Sequence, residues 1–379
     1  RKLFGDPGAL AVARAASEAQ RGIGAFIEHS GEDVWWRPEG MLKVSASAAQ
    51  DAKIDMQLQN IRELGVPEQA VQLTQEEMRA RCNSPVYRKA VYFPEGATVH
   101  PARLARALRR AIINLGVRVY ERTRVDDVQH GKPNLVITDG GSVRAEEVVL
   151  TTNAALTGFH ATKRFLTNFS SYVVMTEPAP EILDRYNWRS GEGISDGRMF
   201  IHYFRNTPDG RIAMGTPGPI GFGGQIRSRK VLNDRDTVKR AHEAIVRFFP
   251  EFANVGIARA WGGPVDVASD NYPFFGTVPG SRIHYSAGYS GHGVNATYLG
   301  GKCLASMVLR QDDEWTRLPL FKRSMPMFPP EPFRFVGGTA IRDAIVACED
   351  AEEEGRKPHP VSEFVASLPA KLNLRVGTR

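Results

Sequence analysis

Cysteine is scarce in this chain: Cys82, Cys303 and Cys348 are the only three among 379 residues, and none forms a C-x-x-C pair. That scarcity argues against a disulfide framework and the common zinc arrangements, so no metal site is expected, and it fits a reducing cytoplasm. No stretch approaches the ~18 consecutive apolar residues of a membrane span. The start, RKLFGDPGALAVARAASEAQ, lacks the continuous apolar core of a secretion signal. Neither sign of charge dominates. Lys and Arg number 49 against 42 Asp and Glu, a net +7 that is scattered along the chain. A solvated basic surface is therefore a better reading than a nucleic-acid footprint. Internal repeats are lacking as well.

What the chain does have is periodicity. Ala11, Ala15, Ala19 and Ile23 follow a helical period within roughly the first thirty residues. With no initial Met, they read as though the chain opened inside a fold, which suggests an N-terminal truncation. DVWWRPEGMLKVS alternates around a turn at 38–40 like two strands, and a helical patch follows at 48–64. The clearest helix is predicted over 101–115. Pro101 opens it, Gly116 stops it, and Leu104, Leu108, Ala111, Ile112 and Leu115 share one face. VRVYERTRVDDVQ follows as strand material, and NLVITDGGSVRAEEVVLTT predicts a hairpin around Asp139, Gly140 and Gly141. From Phe165 the texture changes to long alternating runs, SSYVVMTEP, RMFIHYFRNTPDGRIAMGT and IARAWGGPV, interrupted by a helix at 236–249. This pattern predicts an α+β domain with a mainly antiparallel sheet beside an α/β domain. After Trp315 a Pro-rich connector leads to a helix near 339–354 and a polar tail.

SAGYSGHGVNATYLGG, residues 286–301, sets five glycines between a short apolar strand at 283–287 and a helical period in Leu299, Cys303, Leu304, Met307 and Val308. A helix N-terminus offers free N–H groups and the positive end of a dipole, and glycines let another group approach closely. An electron-rich ligand edge suits it. Gly291-x-Gly293-x-x-Ala296 formally matches the dinucleotide fingerprint, yet the helix runs into LRQDDEWTRLPL, where Asp312 and Asp313 sit in a polar helix end rather than after a second strand. A turn with no ligand is the plain alternative.

In the alternating runs every second side chain points the same way, so Tyr203 and Arg205 share one face of their strand and His202 and Phe204 the other. An Arg fork there suits a carboxylate and an aromatic ring suits an amine. Equally, the tyrosine could be core and Arg205 could pair with Asp270. Two glycines after Trp261 imply close approach by another group. Asp270 and Tyr272 precede Pro273 in a loop, where they could meet substrate or cap a turn.

VHPARLARALRRAIINLGVRVYERTRVDDV, EEVVLTTNAA, YFRNTPDGRIAMG, WGGPVDVASDNYPFFG and GYSGHG together resemble the glycine/D-amino-acid oxidase family of FAD-dependent oxidoreductases, above all its γ-glutamylputrescine oxidoreductase branch. The likeness is strongest over 98–155 and 196–300. It implies a Rossmann-like α/β FAD domain over 1–30, 96–158 and 276–314, an α+β substrate domain over 31–95 and 159–275, and a C-terminal extension over 315–379. It implies FAD, bound non-covalently because no cysteine lies near 261–272. Gly288, Tyr289, Ser290, Gly291, His292, Gly293 and Val294 would meet the flavin edge. Arg124, Val125, Thr151, Thr152, Asn153, Ala154, Trp261 and Gly262 would hold the cofactor. Tyr203, Arg205, Asp270, Tyr272 and Tyr289 would meet the substrate.

The reaction implied is hydride transfer to flavin N5 from the carbon beside a neutral amine, with oxygen or another acceptor taking the electrons. Substrates would be γ-glutamylputrescine-like amines, with D-amino acids, sarcosine or glycine as the alternative. The family opens with a strand, G-x-G-x-x-G and a ribose-binding acid. This chain has no such block, since Gly22-Ile23-Gly24 lies in a helical run and Gly221-Phe222-Gly223 follows prolines. The FAD domain is therefore expected to be incomplete at its N-terminus and to lack its middle strand. A non-catalytic remnant, or one piece of a split protein that needs the N-terminal segment, is the rival reading.

Overall fold

The computed structural model describes residues 1–321, 323–372 and 374, so most of the expected polar tail beyond the last helix lies outside the described residues. The long alternating runs assemble into one eight-stranded sheet. Its spatial order is Ile257–Ala268, Leu166–Thr176, Ile212–Gly221, Tyr203–Asn206, Gly193–Ser195, Met41–Ser45, Lys89–Phe93 and Val71–Leu73. Every neighbouring pair is antiparallel except Met41–Ser45 with Gly193–Ser195. Period-2 sequence explains the arrangement: Val174, Phe204, Met214, Ile194 and Val44 fall on one face and are buried. That face packs on helix Arg235–Phe248, where Asp234 caps the start and Ala241, Ile245 and Phe248 turn inward. The opposite face is left to form a wall.

A second, three-stranded sheet joins Phe274–Thr277, Ile283–Ala287 and Val148–Leu150, the last two parallel. Helices Gly5–Ser30 and Gly293–Leu309 pack beside it through Ala15, Ala19, Leu299, Cys303 and Phe275. The hairpin expected at 139–141 belongs to a third sheet, Val125–Gln129, Asn134–Thr138 and Gly141–Ala145. The whole is a mixed α/β architecture with a large, mainly antiparallel sheet. No helix among the described residues is long and apolar enough to cross a membrane.

Four expectations need correction. The predicted helix forms as Pro101–Asn114, but it buries Leu104 and Ala107 against Ile23, Ile27 and Val34. Leu108, Ile112 and Leu115, expected inward, are exposed, Leu115 to 81%. Residues 117–120 are not a strand, because among the described residues no strand pairs with them, and Val117, Val119 and Tyr120 stand exposed. DVWWRPEGMLKVS yields one strand and an isolated bridge between Arg37 and Thr98. At the other end the helix is longer than expected, Phe333–Glu353, and a further helix, Pro360–Lys371, packs against it. Arg198 ties the longer helix down through Glu349, Asp350 and Glu353.

Candidate active site

A cavity of about 520 Å³ opens between the free face of the large sheet and the loop at 288–292. Strand register explains which side chains reach it. Lys43 stands opposite Ser195, Ser195 opposite Tyr203, Tyr203 opposite Gly215 and Gly215 opposite Val173, giving one row across the wall. The Tyr203 ring lies over Gly215, where an added Cβ would come within 1.9 Å of it. Its hydroxyl bonds Ser171 Oγ at 2.8 Å, and desolvation raises its pKa, so it stays a neutral phenol. Phe169, Met41, Val265 and Val267 make much of the lining apolar.

Arg205 lies on the same face, opposite Ala213 and two residues along the strand from Tyr203. Its Nη1 is buried with no hydrogen-bond partner. Desolvation and the neighbouring Arg37 both push its pKa down, so the guanidinium has a like charge for company and no carboxylate. Pairing with Asp270 does not occur. Asp270 is buried and engaged by Arg323, Nε to Oδ2 at 2.5 Å and Nη2 to Oδ1 at 3.0 Å. Arg205 is not itself among the residues that line the cavity, but it lies on the same face as Tyr203, which does, and a cation whose Nη1 is buried and unmatched calls for an anion.

The loop closes the cavity from the other side. Gly288 takes φ +78°, Ser290 +52° and Gly291 +88°. At Gly288 an added Cβ would meet Ala268 Cβ at 2.7 Å, so packing as well as φ demands glycine. At Gly291 the nearest atom is Val265 Cγ1 at 4.0 Å, and at Gly293 nothing lies within 4 Å. Helix Gly293–Leu309 starts here with no side-chain cap, which leaves its first-turn N–H groups facing an open cradle. The His292 surface reaches the cavity, yet enough protein surrounds the ring that desolvation lowers its pKa and favours the neutral imidazole.

Other residues named from the sequence stand elsewhere. Tyr289 turns behind the loop, bonding Ser286 Oγ at 2.8 Å and lying against Gly300, and burial lifts its pKa to about 12. Tyr272 packs edge-on against Phe4, 5.2 Å between ring centres. Asp270, Tyr272 and Tyr289 are thus outside the cavity, because each is engaged by packing or pairing partners remote in sequence. Trp261 is exposed on the wall face. Gly262 does have a close neighbour, but it is the Tyr172 ring, 2.5 Å from an added Cβ, rather than an open ligand cradle. Arg124 pairs with Asp126 at 2.9 Å on the surface, Val125, Thr151, Thr152 and Asn153 are exposed, and Ala154 is buried. Phe169, Ser171, Met41, Lys43, Val265, Val267 and Asn271 line the cavity without having been singled out. Period-2 alternation marks such strands, but only their pairing order shows which converge.

A family model described as FAD dependent oxidoreductase, DAO, matches residues 3–307. The chain belongs to the DAO family. Its relatives include gamma-glutamylputrescine oxidoreductase of Escherichia coli (strain K12), 31% identical over 314 residues that make up 82% of this chain and 68% of that protein. Probable oxidoreductase OrdL of Haemophilus influenzae is 26% identical over 279 residues, 72% of this chain. The matched region spans 60% of the length of OrdL. Among solved structures, glycine oxidase from Geobacillus kaustophilus superposes with a TM-score of 0.67 at 19% identity, covering 80% of this chain and 79% of that one. L-proline dehydrogenase from P. horikoshii gives 0.66 at 20% identity, covering 84% and 83%. FAD is the cofactor of the DAO family, and the open cradle at Gly291 and Gly293 fits the edge of a planar ring meeting a helix N-terminus. Of the residues expected to hold the cofactor, those at 124–125 and 151–153 are exposed, and among the described residues nothing encloses them.

Proposed function

We propose that this DAO-family protein oxidises the C–N bond of a primary or secondary amine that bears a carboxylate away from the reacting carbon, as γ-glutamylputrescine does. The observation that carries the reading is Arg205, which lies two residues along the same strand face from the cavity-lining Tyr203 and has a buried Nη1 and no acid against it. The 31% identity to gamma-glutamylputrescine oxidoreductase supports the same substrate class. The chemistry FAD supplies when bound is acceptance at N5 of the hydride on the carbon beside the amine nitrogen, whose lone pair closes the C=N bond, before the electrons pass to oxygen or another acceptor.

The chain's own residues bind and orient. Arg205, beyond the lining on the same strand face, takes the distant carboxylate through its fork, and Tyr203 and Phe169 in the lining flank the carbon chain. Apolar lining by Met41, Val265 and Val267 disfavours an ammonium ion, which keeps the amine in its reactive neutral form. First-turn N–H groups at 293–294 steady negative charge arriving at the cradle. The three cysteines are free and none lines the cavity, which supports non-covalent FAD and a cytoplasmic setting. The test is anaerobic mixing of the FAD-reconstituted protein with γ-glutamylputrescine, putrescine, sarcosine and D-alanine. Bleaching of the flavin band at the lowest concentration with γ-glutamylputrescine is expected. A flavin-loaded protein bleached by none of the four removes the reading.

A second reading rests on a different observation. Leu108, Ile112 and Ile113 on the helix and Leu115, Val117 and Tyr120 in the segment after it leave apolar surface exposed. That surface supports a need for a further polypeptide segment before FAD is held. Protein that stays colourless with FAD and turns yellow only when such a segment is supplied would select it.

A further inference from the structure

The strand Ile257–Ala268 presents Val265 and Val267 to the cavity, while Asp266 between them is 1% exposed and turned away. There its carboxylate accepts the Gly288 N–H at 2.5 Å, and the Tyr289 amide also bears on it. Its carbonyl accepts the Ser290 N–H at 2.9 Å. Two residues on, the Ala268 N–H donates to Ser290 Oγ at 3.1 Å, and that hydroxyl donates to the Gly288 carbonyl at 3.0 Å. Two of the loop residues so held, Gly288 and Ser290, have left-handed backbone. We propose that Asp266 is a positioning residue whose ionised carboxylate pins the 288–290 arm of the loop and thereby sets where Gly291 and His292 stand at the cavity edge. This role belongs to the chain itself and does not depend on which substrate is oxidised.

An acid placed there for stability alone would be a poor choice. Burial raises its pKa to about 6, against the backbone bonds that favour its charge, and no cation acts on it among the described residues. The titratable groups around it do not supply one. Tyr289 feels its charge and stays neutral, Cys303 beyond Tyr289 has a thiol pushed up to about 12 by burial, and Asp270 after the strand is matched by Arg323.

Protonation then has two effects of opposite sign. An unfolded aspartate titrates near 3.8, so as pH falls from about 6 toward 4 the folded chain takes up a proton that the unfolded chain lacks, and stability rises. Above about 6 the folded chain carries the full cost of the buried charge. Over the same interval the neutral acid becomes a weaker acceptor, so the loop bonds loosen as pH falls.

Amide hydrogen exchange across 288–294 and thermal unfolding, followed from pH 4.5 to 8 in wild type and Asp266→Asn, separate the two effects. In wild type, loop protection corrected for intrinsic exchange should fall about tenfold between pH 7.5 and 5 while the unfolding temperature rises. Asp266→Asn should show neither step. At pH 8 it should unfold at a higher temperature than wild type, with a less protected loop. Equal loop protection in the two proteins at pH 8 overturns the proposal. So does a wild-type loop whose protection simply tracks global stability across the range, a result obtained without any variant. Neither measurement requires flavin, so failure of the amine-oxidation reading leaves the result intact.

Discussion

Replacing Arg205 with methionine should raise stability and lower affinity for carboxylated amines at the same time. Nη1 of Arg205 is buried without a hydrogen-bond partner, and an unsatisfied buried polar atom costs about 1–3 kcal/mol. The nearby Arg37 charge adds to that cost rather than offsetting it. Methionine is long and apolar enough to follow much of the same path along the wall without a charge. Unfolding entropy near 2 cal/mol/K per residue makes each kcal/mol about 1 °C in a chain of 379 residues. The ligand-free Arg205→Met protein should therefore melt about 1–3 °C higher. A charge-assisted bond contributes about 1.5–3 kcal/mol, so KM for a carboxylated amine should rise roughly 10- to 150-fold while KM for putrescine stays put. Arg205→Lys keeps the charge but loses the fork, and should fall between the two. Differential scanning fluorimetry and steady-state rates with paired amines read both quantities. A lower melting temperature, together with equal KM values for both amines, would refute the reasoning and make Arg205 a structural residue.

Gly291→Val places a branched side chain at φ +88°, a backbone strain of about 1–2 kcal/mol, and puts its methyl groups into the open cradle. Flavin occupancy should fall and single-turnover reduction should slow by about 10²–10³ relative to His292→Ala, which spares the backbone. Retained FAD with a wild-type rate would show that nothing approaches the loop there. Arg323→Met strands the Asp270 carboxylate in the interior and should cost about 3–5 kcal/mol. Adding Asp270→Asn should restore most of the lost thermal stability, and a double variant no better than the single one would mean that packing, not charge, holds that turn.

Elements whose signals are local were legible in the sequence. Pro101 and Gly116 bound a real helix, and the hairpin at 207–212 turns where Pro208, Asp209 and Gly210 say it should. What lies across from an element was not legible. The 101–114 helix carries apolar residues on more than one side, and sequence periodicity cannot say that Ile23 and Ile27 meet Ala107 rather than Leu108. Residues 117–120 have β-rich composition, but a strand is a relation between two chain segments. In the site, Tyr203 and Arg205 followed from alternation along one strand. The ion pair of Asp270 could not be read, because its partner, Arg323, lies 53 residues on. Asp266 escaped notice because its bonds are to backbone amides, which leave no pattern in side-chain types.

The alternation at 265–267 also bears on how such a chain can diverge. Substitutions at Val265 or Val267 reshape the cavity one methyl group at a time, and nothing else need change. A single-residue insertion or deletion in that strand is another matter, since it would exchange the two faces, deliver a carboxylate into the apolar lining and release the loop in one event. Lineages built on this wall are therefore expected to vary in side chain at these two positions while holding the strand's length constant, with insertions displaced to the turns at either end.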